Sequence, residues 1–252
     1  MVIIGMDPPE HHLFRSIVSK AFDDQDPEVA PGPEASMQAS MEIFAYASEM
    51  AVRERARPTG SLTSALLEAE VGGRRLTDLE FTLFFMFLIV AGNETTRTAS
   101  SQGLRALIEH PAELQHLRHD PSLVRSAVEE ILRWEPPIHH FRRTATADTQ
   151  IGDQSIAAGD KVLMWYAGAN RDPSVFDDPH VFRVDRSPNP QLSFGIGEHF
   201  CLGANLARLS LRVLFTELLT TIENIELDAP PRRLHSNLIN GIKEMSIRYD
   251  AR

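Results

Sequence analysis

The one cysteine of this chain, Cys201, stands in Phe194-Gly195-Ile196-Gly197-Glu198-His199-Phe200-Cys201-Leu202-Gly203, a glycine-broken loop that runs straight into a stretch of helical apolar spacing. That arrangement constrains the fold because it asks the chain to present a single thiol on a fixed platform. Gly195, Gly197 and Gly203 let the backbone approach a flat macrocycle and adopt positive φ. Phe194 can cover the sulfur, and the N-terminus of the following helix stabilises its negative charge. A thiolate so placed is free to take one axial position of an iron, and as a haem ligand it pushes electron density into the metal and favours O–O cleavage. An isolated cysteine is more often a small buried hydrophobe, but the density of this motif argues against that fate here.

Composition sets the frame. With 252 residues, 42% of them hydrophobic, the chain can bury a sizeable core, and one domain over 1–252 is the simplest organisation. A net charge of −10 without a long basic run argues against nucleic acid or an anionic membrane as the main partner. One cysteine cannot close an intramolecular disulfide, which fits a reducing cytoplasm. The apolar run Phe81–Gly92 falls short of the roughly 18 residues that span a bilayer, so no membrane span is expected.

Helical signals dominate the first half and return after Cys201. A helix is expected from about Glu34 to Arg57. Thr77-Asp78-Leu79-Glu80 is a capping box that opens a long helix running to about His110, where Pro111 begins a new turn. Asp120-Pro121 caps another helix that ends at Pro136-Pro137. Arg142 to Met164 reads as short strands joined by turns at Gly152-Asp153 and Gly159-Asp160, and Asn170–Pro190 as an irregular meander. Leu206, Leu209, Val213, Leu214, Leu218 and Leu219 carry a last helix to about Thr221. The result is a mainly α fold with a minor β region.

In the middle of the long helix, Ala91-Gly92-Asn93-Glu94-Thr95-Thr96 is a poor run for a helix interior, because threonine hydroxyls compete for the i−4 carbonyl. Either it is a kink whose polar groups satisfy one another, or it is a widened turn where Thr95 offers a hydrogen bond to bound oxygen and Glu94 relays protons from solvent.

The cysteine loop resembles that of the cytochrome P-450 superfamily of haem-thiolate monooxygenases, Phe-x-x-Gly-x-(Arg/His)-x-Cys-x-Gly, with Phe194, Gly197, His199, Cys201 and Gly203 at its fixed positions. The distal-helix pattern Ala-Gly-x-(Asp/Glu)-Thr-(Thr/Ser) is matched by Ala91–Thr96, and the resemblance carries the acid role to Glu94 and the oxygen-binding hydroxyl to Thr95. Glu130 and Arg133 have the spacing of an ordinary surface pair. The resemblance instead implies a buried triad with Arg186 that holds the cysteine loop rigid. It implies haem b (iron protoporphyrin IX), with Cys201 as axial ligand, Phe194 and Gly195 against the ring, and His199, Arg143, His11 and Arg15 meeting the propionates. Arg142 is the weaker alternative to Arg143.

The nearest subfamily is the actinobacterial type that oxidises sterol side chains and branched lipids, which implies an apolar small-molecule substrate and electrons from a ferredoxin and its reductase. Val90, Ala91, Ile138 and Ile239 would line the pocket, whereas Ile89 reads as core. The resemblance also implies an incomplete version of the fold. One block is missing before Asp7-Pro8-Pro9-Glu10 and another between Lys20-Ala21-Phe22 and the helix from Glu34. Two functions stay open on this reading: a monooxygenase, or a haem-binding remnant without productive turnover.

Overall fold

The computed structural model describes Glu28 and residues 32–252, which fall into two compact units, one up to Glu94 and one from Thr95 onward. His11, Arg15 and the junction after Phe22 lie outside the described residues.

The first unit is built from α1 (Pro33–Ala56), α2 (Leu62–Glu68), the hairpin β1 (Glu70–Val71) and β2 (Arg74–Arg75), and the opening of α3 (Asp78–Glu109). Pro33 sits in the first turn of α1, where its missing N–H costs nothing. Gly72 and Gly73 join β1 to β2 with φ of 60° and 80°, the double positive φ that a primed two-residue turn demands. The capping box of α3 is formed. Thr77 N–H donates to the Glu80 carboxylate (2.9 Å), and Glu80 N–H donates to Thr77 Oγ1 (3.3 Å). Ile43, Ala47, Met50 and Ala51 on one face of α1 pack with Phe81, Phe85 and Ile89 of α3, so Ile89 belongs to this core.

In the second unit α3 continues to Glu109, followed by α4 (Pro111–His119), a 3-10 turn at Pro121–Leu123, α5 (Val124–Trp134), the short α6 (Tyr166–Ala169) and α7 (Ala204–Thr221). Their common core joins Ala99, Ala106 and Leu107 of α3 to Val128, Ile131 and Leu132 of α5 and to Leu211, Phe215 and Leu219 of α7. Gly103 permits the close approach of these helices. A Cβ there would stand 2.7 Å from Ile131 Cγ2 and 2.8 Å from Phe215 Cζ.

The strands form antiparallel pairs: β3 (His140–Thr144) with β6 (Lys161–Trp165), β4 (Thr149–Ile151) with β5 (Gln154–Ile156), β7 (Ile222–Leu227) with β10 (Ile247–Ala251), and β8 (Arg232–Arg233) with β9 (Ile242–Glu244). An isolated antiparallel bridge ties Ile138 to Ile239. Helix predominates, as the sequence predicts, and the segment from Asn170 to Pro190 carries neither helix nor strand.

Two expectations change. The helix α3 runs through Ala91–Thr96 as uninterrupted α-helix rather than a widened turn; farther along it, Ser100 donates to the Thr96 carbonyl (2.8 Å) and Ser101 to that of Arg97 (3.1 Å). By length and composition α3 is also apolar enough over an 18-residue window to cross a membrane, contrary to the reading from Phe81–Gly92 alone. Its apolar faces are used in the cores of both units, and it carries Glu94 and Gln102 at 0–1% exposure, a costly choice for a lipid-facing segment.

Candidate active site

The platform for the cysteine loop starts at α5. Glu130 and Arg133 lie three apart on its buried face, and Arg186 reaches them from the meander, all at 0–3% exposure. Arg133 donates through Nε to Glu130 Oε2 (2.7 Å) and through Nη2 to Oε1 (2.8 Å), a planar fork on a carboxylate. Arg186 Nε (3.0 Å) and Asn189 Nδ2 (3.2 Å) donate to Oε2, and the Arg183 N–H donates to Oε1 (2.9 Å). The guanidinium groups spend their remaining donors on the meander. Arg133 bonds the carbonyls of Asn170, Pro179 and Val181, and Arg186 those of Asp177, Asp178 and Val181. A backbone with no ladder of its own is thereby pinned by two side chains.

Asn170 carries this order to the loop. Its Nδ2 donates to the Arg133 carbonyl (3.2 Å) and to Ser193 Oγ (3.0 Å), its Oδ1 accepts from the Leu192 N–H (2.8 Å), and Ser193 Oγ donates to the Leu132 carbonyl (2.6 Å). The loop then closes on backbone bonds: Gly195 N–H to Leu192 carbonyl (2.8 Å), Phe200 N–H to Gly197 carbonyl (3.0 Å) and Cys201 N–H to Phe194 carbonyl (2.9 Å). Gly195 and Gly197 take φ of 70° and 72°, the left-handed region in which a side chain would be strained.

The Cys201 thiol is exposed at the tip, and Ile196, Phe200 and Leu202 beside it in sequence are exposed as well. His199 is exposed on the same loop. On β3, Phe141 and Arg143 share one face and Arg142 takes the other. Phe141 packs edge-on against Tyr166 (centroids 6.1 Å apart). The pKa of Tyr166 is raised by burial, with the nearby Arg143 cation pulling the other way. A Cβ on Gly195 would lie 3.8 Å from the Tyr166 hydroxyl. Arg143 thus shares the face of β3 that carries Phe141, and Arg142 lies on the opposite face.

On α3, Glu94 is buried, Thr95 is half-buried, and Ala91 and Gly92 are exposed, with open space where a Gly92 Cβ would be. Val90 is half-buried. Ile239 is buried and paired with half-buried Ile138.

Residues 34–247 match the cytochrome P450 family. The chain belongs to that family. It is 46% identical over 249 residues to the methyl-branched lipid omega-hydroxylase of Mycobacterium tuberculosis, covering 98% of this chain and 58% of that protein. It is 40% identical over 225 residues to the steroid C26-monooxygenase of Rhodococcus jostii, covering 89% of this chain and 47% of that protein. A Mycobacterium marinum cytochrome P450 solved with pseudoionone superposes with a TM-score of 0.90 at 38% identity, over 97% of this chain and 60% of that one. The chain thus spans about 58% of the length of the first of these relatives.

A cytochrome P450 implies haem, and the loop fits one. The exposed thiol is ringed in sequence by exposed apolar side chains that a flat macrocycle would cover, and a Cβ at Gly197 would meet nothing within 4 Å. Sequence reasoning missed Asn170, Ser193 and the Glu129–Arg208 pair. Arg208 Nε donates to Glu129 Oε1 (2.6 Å) and Nη2 to Oε2 (3.0 Å). Asn170 carries no motif, and only the fold brings it to Arg133. Arg208 left one faint signal, a cation about one turn into the helix that follows the cysteine.

Proposed function

We propose that this protein is a cytoplasmic haem-thiolate monooxygenase that inserts one oxygen atom of O2 into an apolar, sterol-like or branched fatty-acid-like substrate, with electrons from a ferredoxin and its reductase. The observation that carries the reading is the exposed Cys201 thiol on an apolar loop whose base is pinned by the buried Glu130 cluster. Haem bound through a thiolate supplies the electron density that favours O–O cleavage. Cys201 provides the ligand, and Phe194 and Gly195 shape the loop around it. Arg143 and His199 meet the propionates, a role that extends to His11 and Arg15. Thr95 holds a proton at the oxygen side, and Glu94, one residue before it and buried, passes protons to it. Ile138 and Ile239, joined by an antiparallel bridge, offer apolar side chains to the substrate. The named activities of the lipid and steroid hydroxylases support the substrate class.

A second reading, haem binding without productive turnover, is supported by the exposure of Leu206, Leu209 and Val213 on α7. A reduced carbon-monoxide difference spectrum tests the first step: a thiolate-type Soret band supports the monooxygenase reading, and a histidine-type or absent band supports the second. Product formed per NAD(P)H, measured with a surrogate ferredoxin and a panel of sterols and methyl-branched fatty acids, separates them.

A further inference from the structure

Arg208 is half-buried on α7, and its guanidinium carbon lies 4.5 Å from the centroid of the Phe194 ring. Two bonds to Glu129 fix the plane of the guanidinium. Glu129 is held in turn by Gln191 Nε2 (3.0 Å), and Gln191 Oε1 accepts from the Ser193 N–H (2.7 Å), so the clamp closes on the strand of chain that leads into the loop. Phe194 is itself tied to the ligand residue, because its carbonyl accepts the Cys201 N–H (2.9 Å), and its ring packs against Phe200 (6.2 Å). A cation held over an aromatic face polarises the ring and keeps it from turning. The Arg208 cation and the Cys201 sulfur also feel each other's charge, which helps raise the arginine pKa after the larger contribution of the Glu129 bond.

We propose that Arg208 is a positioning residue for the cysteine ligand: clamped by Glu129, it locks Phe194 in the cysteine loop and places a fixed positive charge near Cys201, so that the reduction potential of bound haem iron is set in part by a side chain that is not itself a ligand. The proposal rests on the haem-thiolate reading. A positive charge near the sulfur draws electron density from the ligand and favours the reduced metal, so removing it favours the oxidised metal.

The test is the potential of the haem-loaded protein, read by spectroelectrochemistry, with haem content and the ferrous carbon-monoxide spectrum recorded alongside. Arg208→Gln keeps the thiolate-type band and shifts the one-electron equilibrium about tenfold toward oxidised iron, which is about 59 mV. Arg208→Lys keeps the charge but loses the planar fork, and shifts less in the same direction. Glu129→Gln leaves the arginine in place but removes the carboxylate that partly neutralises it, so by the same charge argument it shifts the equilibrium toward reduced iron, opposite in sign to Arg208→Gln and smaller. A wild-type potential in Arg208→Gln overturns the proposal. If Arg208→Gln loses haem, Glu129→Gln decides: a wild-type potential there leaves Arg208 as a structural residue only. A wild-type protein without a thiolate-type band removes the haem-thiolate reading itself, and the proposal falls with it.

Discussion

The Glu130 cluster and the tip of the cysteine loop share one platform, and they use their groups in opposite ways. At the cluster, three charged side chains sit at 0–3% exposure, and both Glu130 oxygens accept from at least two donors each. At the tip, Cys201, Ile196, Phe200 and Leu202 are exposed, with Leu202 at 76%, and the chain is held by a few backbone bonds. Polar satisfaction is spent on the base and apolar surface is left at the end. Such a division teaches that the platform is built by the polypeptide alone, whereas the tip is shaped for something flat and apolar to cover it.

The largest break in this comparison is Glu130→Ala. Two buried guanidinium groups would lose their carboxylate, at a cost of about 3–5 kcal/mol. Denaturant unfolding of the haem-free protein measures it, and a loss below about 1 kcal/mol would mean that the meander is held by its own backbone rather than by the cluster. Arg133→Ala is expected to cost less, because Glu130 keeps Arg186, Asn189 and the Arg183 N–H as partners.

Much of this division can be read in the sequence, and the unreadable parts have physical reasons. Helices announce themselves locally, so the capping box at Thr77 and Glu80, the proline at the start of α1 and the spacing along α7 locate those elements. Cys201 is legible because its neighbours are unusual together. The pairing of β7 with β10 is not, since strands so far apart in sequence leave no local trace of their register. The fork from Arg133 to Glu130 is legible only as spacing; that it is buried, and that Asn170 hands its order to Ser193, follows from the path of a meander without periodicity. The Gly72-Gly73 hairpin escapes the sequence reading, because the flanking Glu-Val and Arg-Arg carry no strand pattern, although two adjacent glycines suit a primed turn.

A smaller effect sharpens the contrast by perturbing the helices without touching either region. Gly103→Ala places a methyl against Ile131 and Phe215 at 2.7–2.8 Å, so side chains must shift, at a cost of about 1–3 kcal/mol. The thiolate-type spectrum is expected to survive in whatever fraction remains folded. If the spectrum is lost while stability is kept, loop geometry depends on the packing of α3 against α5 and α7 more than on the cluster.

Smaller again is the acid dependence of Glu129, which lies between the two regions. Burial opposes its charge, but the bonds from Arg208 and Gln191 outweigh burial and hold its pKa below the ordinary 4.5. A carboxylate with a depressed folded pKa contributes stability that is fully present above 4.5 and is lost as pH falls through the folded value. Melting temperatures of wild type and Glu129→Gln are therefore expected to differ most at neutral pH and to converge as pH falls below 4.5. A gap that stays constant down to acid pH would show that the Glu129–Arg208 pair contributes through packing alone.

The smallest expected change in stability, and the one that tests the comparison most directly, is Cys201→Ala. The thiol is exposed, and what ties residue 201 to the fold is backbone: its N–H bonds the Phe194 carbonyl, and its own carbonyl accepts from the Ala204 N–H (3.2 Å). Alanine preserves both bonds, so haem-free Cys201→Ala should unfold within about 0.5 kcal/mol of wild type, as surface substitutions do. The same change should abolish the thiolate-type Soret band completely, because no second cysteine exists to replace the ligand. Stability and ligation are thus expected to separate cleanly at this position, whereas at Glu130 they fall together. A haem-free Cys201→Ala protein destabilised by more than 1–2 kcal/mol would show that the sulfur is part of the platform, and the division between base and tip would have to be redrawn.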